Sequence, residues 1–146
     1  MGKDSPFDNP LIGTIVAEGF ARWSPPLLRE FGDNAHNGRI GQALVRETDA
    51  LRIWETHLAP GERVPMHRHV LDYFWIALTD GRVRQHGGDG TSREIAYVRG
   101  QTRYFPLPAE RYHLHDMRNI GDAPLSYLTI EVKGGANDPI DLPPQR

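Results

Sequence analysis

Hydrophobic and polar residues alternate along several short segments of this chain, and the alternation predicts β-strands rather than helices. Residues 51–58 (LRIWETHL) and 126–132 (SYLTIEV) alternate with a period near two, whereas residues 73–79 (YFWIALT) form a nearly continuous apolar and aromatic run. A period of two places every second side chain on the same face of a strand. These three segments are therefore predicted to be strands that bury at least one face.

Shorter segments with the same character complete a ladder of predicted strands. They are residues 42–46, 83–86, 94–98 and 101–105. Short strands separated by frequent turn residues indicate an all-β sandwich or barrel. The pair Asp80-Gly81 is expected to form a hairpin turn, and residues 87–90 (GGDG) are expected to form a second turn.

The two ends of the chain do not fit this ladder. Residues 1–41 are irregular and proline-rich, with one short helix predicted at 26–31, and residues 134–146 are predicted to be a flexible tail. We therefore expect a single barrel domain at 42–133. The apolar stretch at 12–16 (IGTIV) has no evident place in such a barrel, so the N-terminal arm is predicted to pack on the partner in a homodimer.

Composition and charge exclude several classes of function. The formal net charge is −2 with 25% charged residues, which gives no large field of one sign to attract nucleic acid or a membrane surface. There is no apolar span of ~20 residues and no secretory signal pattern, so a cytoplasmic location is expected. The chain has no cysteine, so any metal must be held by imidazole, carboxylate, phenol or water.

The spacing of the histidines is the strongest chemical signal in the sequence. Among seven histidines, His67 and His69 form one pair two residues apart, and His113 and His115 form another. In a β-strand, residues two apart point to the same face with Cβ atoms roughly 7 Å apart, and two imidazoles can close that span onto one ion. The remaining histidines carry no such signal, and a structural role is predicted for His57 and His86.

Two motifs in the sequence resemble those of the cupin family. Residues 61–69 (GERVPMHRH), followed by an apolar strand and Gly81, resemble the first cupin motif, G-x5-H-x-H-x(3,4)-E-x6-G. Residues 100–106 (GQTRYFP) and 115–119 (HDMRN) resemble the second motif, G-x5-P-x-G-x2-H-x3-N. The resemblance extends through the flanking strands and implies an all-β double-stranded β-helix, or jelly-roll barrel, with an irregular N-terminal arm.

The resemblance also implies one divalent transition metal bound by His67, His69 and His115. His115 is preferred as the third ligand because only His115 is followed by Asn119 at the spacing of the second motif. His113 has the same strand parity and remains the alternative ligand, or an acid or base in the pocket.

The sequence departs from the first motif at the glutamate that most cupins supply as a fourth ligand. That position falls at Tyr73 or Phe74, and the nearest carboxylate is Asp72. If the strand is regular, Asp72 faces inward beside Phe74 and is expected to contact the metal's ligands, or the ion through a water, rather than to bind it directly. Asp72, Tyr73 and His113 are therefore predicted to assist the chemistry beside the metal.

Three neutral imidazoles suit iron(II), zinc, nickel, copper or manganese and leave coordination positions open. A three-histidine set without a carboxylate resembles the cupins that cleave β-diketones or oxidise cysteine, which favours an iron(II) dioxygenase. Its substrate would be a small, anionic, chelating molecule. Two alternatives remain open: a non-redox cupin such as an isomerase or lyase, and a module that binds or senses a small ligand without turnover.

Overall fold

The computed structural model describes residues 13–142, in which ten strands form two five-stranded antiparallel sheets. In chain order the elements are β1 (Thr14–Ala17), α1 (Pro25–Asp33), β2 (Ala43–Glu47), β3 (Leu51–Leu58), β4 (Arg63–His69), β5 (Asp72–Ala77), β6 (Gly81–His86), β7 (Ser92–Tyr97), β8 (Thr102–Phe105), β9 (His113–Asn119) and β10 (Leu125–Val132). The first sheet has the order β1-β7-β6-β9-β4, and the second has the order β2-β3-β10-β5-β8.

The alternation read from the sequence matches the side chains that the two sheets bury between them. In β5, Tyr73, Trp75 and Ala77 are buried while the residues between them are half-buried. The core joins these residues to apolar side chains of both sheets, including Val83 of β6 and Leu125 of β10. The all-β jelly-roll prediction is confirmed, because every predicted strand is present within one or two residues of its expected bounds.

One predicted turn is wrong, because β5 and β6 lie in different sheets. Asp80-Gly81 was expected to close a hairpin, but β5 pairs with β10 and β8, whereas β6 pairs with β7 and β9. The chain crosses from one sheet to the other at this point, as a jelly roll requires. The turn at residues 87–90 does close a hairpin, in which His86 pairs with Ser92.

A bulge in β4 decides which side chains of this strand enter the barrel. The pairing of β4 with β9 shifts register between Val64 and His67, and Pro65, which has no N–H to donate, lies inside the shift. Met66 and His67 are consequently both buried although they are adjacent in the chain. Beyond the bulge, His67 and His69 share the inner face, so the bulge directs the two histidines inward.

The described part of the N-terminal arm packs on its own barrel. Strand β1 pairs with β7, and α1 begins with two prolines after Ser24, whose side chain accepts a hydrogen bond from the N–H of Leu27 at 3.3 Å. Trp23 and Ile40, both from the arm, are buried at 6% and 2% exposure. Residues before residue 42 therefore contribute a strand and core side chains to the barrel. The homodimer stays a prediction, and residue 12 lies outside the described part.

The C-terminal segment is also fastened to the barrel as far as residue 142. The Nδ2 of Asn137 donates to the carbonyl oxygens of Val70 and Pro108, both at 3.0 Å, and Arg52 Nη1 donates to that of Ile140 at 3.0 Å. Residues 137 and 140 are thus held against the barrel by hydrogen bonds, whereas the flexibility expected from residue 134 stays a prediction and residues 143–146 lie outside the described part. No helix between residues 13 and 142 is long and apolar enough to cross a membrane.

Candidate metal centre

Three histidines from two neighbouring strands converge between the sheets. His67 and His69 lie on β4, and the register of β4 with β9 places His67 opposite His115. One ring nitrogen from each of the three lies within 4.8 Å of the others, and the Nε2 atoms of His69 and His115 are 3.1 Å apart. Two nitrogens bound to one ion at ~2.1 Å are separated by roughly 3.0–3.4 Å at coordination angles near 90–110°. The spacing is therefore suited to a shared ion.

Burial keeps these imidazoles neutral, which is the protonation state that a metal ligand needs. Desolvation lowers the pKa of His67 to about 4 and holds the pKa of His69 and His115 well below the usual 6.5. The N–H at Nδ1 of His67 donates to the carbonyl oxygen of Pro65 at 2.8 Å, so the proton is fixed there and Nε2 keeps its lone pair.

His69 is oriented by stacking instead of by a hydrogen bond at its second nitrogen. Its Nδ1 is buried without a partner among residues 13–142. The ring lies against Tyr73, with ring centroids 3.8 Å apart and planes at 13°. The Tyr73 hydroxyl lies 2.7 Å from Nδ1 of His113, which is within hydrogen-bond distance. Tyr73 therefore lies between a metal-binding candidate and His113, and burial raises its pKa well above 10.

His113 is brought close to the three histidines but does not join them. Its ring centroid is 6.2 Å from that of His69, and the group of three does not include it. Desolvation lowers its pKa to about 4. The structure therefore places His115, as the second motif implied, in the convergent set and His113 beside it.

Asp72 does not face the histidines, contrary to the expectation from the sequence. Asp72 does lie on the same face of β5 as Phe74. That face is the outer one, because Tyr73 and Trp75 are the residues of β5 that point inward. Asp72 Oδ1 accepts a hydrogen bond from the N–H of Leu107 at 2.6 Å and so anchors the loop after β8. Tyr73 occupies the inward position where the first motif has its glutamate.

The histidines open onto a narrow cavity with predominantly aromatic and apolar walls. The volume in which the centre of a water molecule fits is about 30 Å³. This is enough for an ion and a few small ligand atoms. The wall residues are Ile40, Tyr73, Trp75, Phe105, Met117 and Tyr127. Two uncharged polar residues, Gln85 of β6 and Thr129 of β10, complete the lining.

Gln85 and Thr129 were missed in the sequence, although alternation carries a signal for both. Val83 is buried in β6, so Gln85 two residues later shares its face, and Thr129 likewise follows the buried Tyr127. Neither residue belongs to a cupin motif, and polar residues in alternating strands are usually assigned to the solvent side.

Glu131 is a further inward-facing residue that the sequence did not single out. It lies opposite Tyr73 in the pairing of β10 with β5, is 3% exposed, and accepts a hydrogen bond from the indole N–H of Trp54 at 2.7 Å. Desolvation raises its pKa to about 7. The barrel therefore holds a carboxyl group behind Tyr73, outside the group of three histidines.

The donor set fits a divalent transition metal. Three neutral imidazoles, two of them with facing Nε2 atoms, match the nitrogen-rich sites that bind iron, copper, nickel or zinc. Asn119, the last residue of the second motif, is fully buried and donates through Nδ2 to the carbonyl oxygens of Leu58 and Ala123 at 2.9 Å. It secures the end of β9, which carries His115, and has no place among the ligands.

Comparison with known proteins supports the fold. No family model and no curated protein matches the chain. A cupin domain from Bordetella pertussis Tohama I has a TM-score of 0.57 and 22% identity, covering 63% of this chain and 91% of its own. An uncharacterized conserved protein with a double-stranded β-helix domain from Klebsiella pneumoniae subsp. pneumoniae MGH 78578 has a TM-score of 0.51 and 21% identity, covering 66% and 78%. The chain therefore has the double-stranded β-helix fold of the cupins.

Proposed function

We propose that this chain, a protein with the cupin fold, is a mononuclear metal enzyme that acts on a small anionic molecule, with an iron(II) dioxygenase as the favoured class. The observation that carries the proposal is the convergence of His67, His69 and His115 in a buried cavity with no carboxylate in the group. Three neutral ligands leave the charge of a divalent ion uncompensated, which favours an anionic, chelating substrate.

A divalent ion at this position would raise the acidity of a coordinated substrate and, if it is iron(II), supply redox chemistry with oxygen. The protein's own contribution is to exclude bulk water and to orient the substrate. The aromatic walls exclude water, and the amide of Gln85 and the hydroxyl of Thr129 are the polar groups available to a substrate in the cavity.

The Tyr73–His113 pair favours a second candidate function, a non-redox isomerase or lyase. A phenol in the cavity wall, 2.7 Å from a half-buried imidazole, is an arrangement that can hold or pass on a proton next to a bound substrate. Such chemistry would need the metal only to polarise the substrate. Oxygen consumption separates the two candidates.

The test begins with protein purified without added metal and without a polyhistidine tag. Elemental analysis is expected to give close to one equivalent of a transition metal per chain. Oxygen uptake is then followed against 1,3-diketones, thiols and phenolic acids, with the His67→Ala/His69→Ala double variant as the metal-free control. Uptake that depends on the substrate and is lost in the double variant supports the dioxygenase.

Other results lead to different conclusions. Product formation without oxygen uptake, sensitive to Tyr73→Phe, would support the isomerase or lyase. Full metal occupancy with tight binding of a panel member and no turnover would contradict the enzyme proposal and identify a binding module.

A further inference from the structure

The outer face of the first sheet carries a second cavity, separate from the histidines. It lies between α1 and the strands β4, β6 and β9, and has a volume of about 320 Å³. Arg22, Arg63 and Arg118 line it together with Glu30, Asp116 and His86. A smaller adjoining cavity of about 170 Å³ shares Arg22 and His86 with it.

Two carboxylates in this cavity are already engaged by Arg63. The guanidinium of Arg63 contacts both carboxylate oxygens of Glu30, at 2.8 and 2.6 Å, and Oδ2 of Asp116 at 2.8 Å. Asp116, 1% exposed, also accepts hydrogen bonds from the backbone N–H and the Nδ1 of His86. These ion pairs fasten α1 to the sheet, so Arg63 is not free to bind a ligand.

The other two arginines have no counter-ion in the cavity. Within residues 13–142 the side chain of Arg22 forms no hydrogen bond or ion pair, and Arg118 donates only to the neutral carbonyl oxygen of Gly61, at 2.7 Å. Three guanidinium groups thus face two carboxylates. The cavity retains an excess positive charge on the two arginines that can still donate hydrogen bonds.

Arg22 is held over this cavity by a strained segment. Its φ is 69° and that of Phe20 is 61°, in the left-handed region that costs roughly 1–2 kcal/mol for such residues. The N–H of Phe20 donates to the carbonyl oxygen of Gly90 at 2.9 Å, and the Phe20 ring packs edge-on against buried Trp23. Strain of this kind is concentrated at ligand-binding positions, where the surrounding structure maintains it.

We propose that this outer cavity binds a small oxyanion, a carboxylate or a phosphate group, through Arg22 and Arg118. A guanidinium offers a planar fork of N–H donors that matches the geometry of both oxyanions. The segment around Phe20 holds the backbone of Arg22 beside the cavity, and β9 holds the backbone of Arg118. Oxyanion binding at the outer cavity is independent of the function proposed for the inner cavity.

Calorimetric titration of the full chain at low ionic strength tests the proposal, with inorganic phosphate and succinate as separate probes. Saturable binding of one equivalent of either probe is expected, and the tighter probe identifies the class of oxyanion. Arg22→Ala should weaken binding at least tenfold, and Arg22→Lys, which keeps the charge but loses the fork, should weaken it less.

Arg82→Ala is the matched control, because it removes the same charge nearby. Arg82 is 59% exposed, pairs with Glu94 at 3.1 Å and does not line the larger cavity, so its loss should leave binding unchanged. Equal weakening by Arg82→Ala and Arg22→Ala would overturn the proposal, since it would indicate only a general charge effect. Absence of saturable binding would also overturn it, as would binding abolished by His115→Ala but not by Arg22→Ala.

Discussion

The two faces of the first sheet both bury ionisable groups, but those on the inner face are neutral and those on the outer face are ionised. On β9, His115 lines the inner cavity and His113 contacts the inward-facing Tyr73, while Asp116 and Arg118 point to the outer face under α1. The inner imidazoles are neutral because desolvation lowers their pKa. Desolvation opposes the charge of Asp116 as well, but hydrogen bonds from His86 and Arg63 outweigh it and lower the pKa of the carboxyl.

The difference shows that the available counter-charge, rather than burial alone, decides whether a buried group is ionised. The outer face supplies a guanidinium within hydrogen-bond distance of each buried carboxylate. The inner face brings together groups of one kind, whose protonated forms would repel one another, and leaves their lone pairs free. The ion pairs of the outer face stabilise the fold, whereas the neutral imidazoles of the inner face can bind a cation.

Removing the outer carboxylate tests the stabilising half of this comparison and should have the largest effect. Asp116→Ala leaves the buried N–H of His86 without its acceptor and takes one of two carboxylates from Arg63. Unfolding in urea should show a loss of about 3–5 kcal/mol. Glu94→Ala, which breaks exposed ion pairs on the same sheet, should cost far less, and an equal loss in the two variants would contradict the account.

Glu131 is an inner carboxyl group whose pKa is raised by desolvation to about 7 from a usual 4.5. Between these pH values the folded protein keeps a proton that the unfolded chain releases, so the free energy of unfolding falls as pH rises through this window. The fall should amount to about 3 kcal/mol. Glu131→Gln, which can still accept from Trp54, should remove this component.

The measurement is the free energy of unfolding of both proteins at intervals from pH 4 to pH 8. The difference between them should change steadily across the window and be constant outside it. Parallel curves for wild type and variant would show that Glu131 is ionised in the folded protein like a surface carboxylate.

Asp72→Asn should have the smallest effect, because Asp72 is on the outer face of β5 and away from the histidines. The asparagine can still accept the hydrogen bond from the N–H of Leu107, so a loss of about 1 kcal/mol or less is expected in thermal unfolding. Metal content should be unchanged. A variant that loses its metal would place Asp72 in the metal centre after all.

The sequence predicted the strands and the histidine pairs from local pattern, and the resemblance to the two cupin motifs supplied the barrel and the set of three histidines. Alternation located the strands. His67 and His69 needed only to lie on the same strand in order to share a face. His115 required the second motif with its Asn119, because alternation alone does not distinguish it from His113. Tertiary pairing then placed it opposite His67.

The parts that could not be predicted depend on long-range contacts or on a change of strand parity. The face to which Asp72 points is set by the neighbouring strands and not by its own segment, and the expectation failed there. Likewise, β1 and the buried Trp23 acquire their places only through β7 and α1, which the irregular sequence of the arm does not reveal.

The most direct test of the central claim is a comparison of His115→Ala with His113→Ala, two histidines on the same strand and the same face. After loading each protein with cobalt(II) and removing free metal, elemental analysis should find close to one equivalent in wild type and in His113→Ala. His115→Ala should retain less than about a tenth of an equivalent, because it loses one of three ligands. Equal metal content in the two variants, or a greater loss in His113→Ala, would contradict the assignment of His67, His69 and His115 as the metal centre.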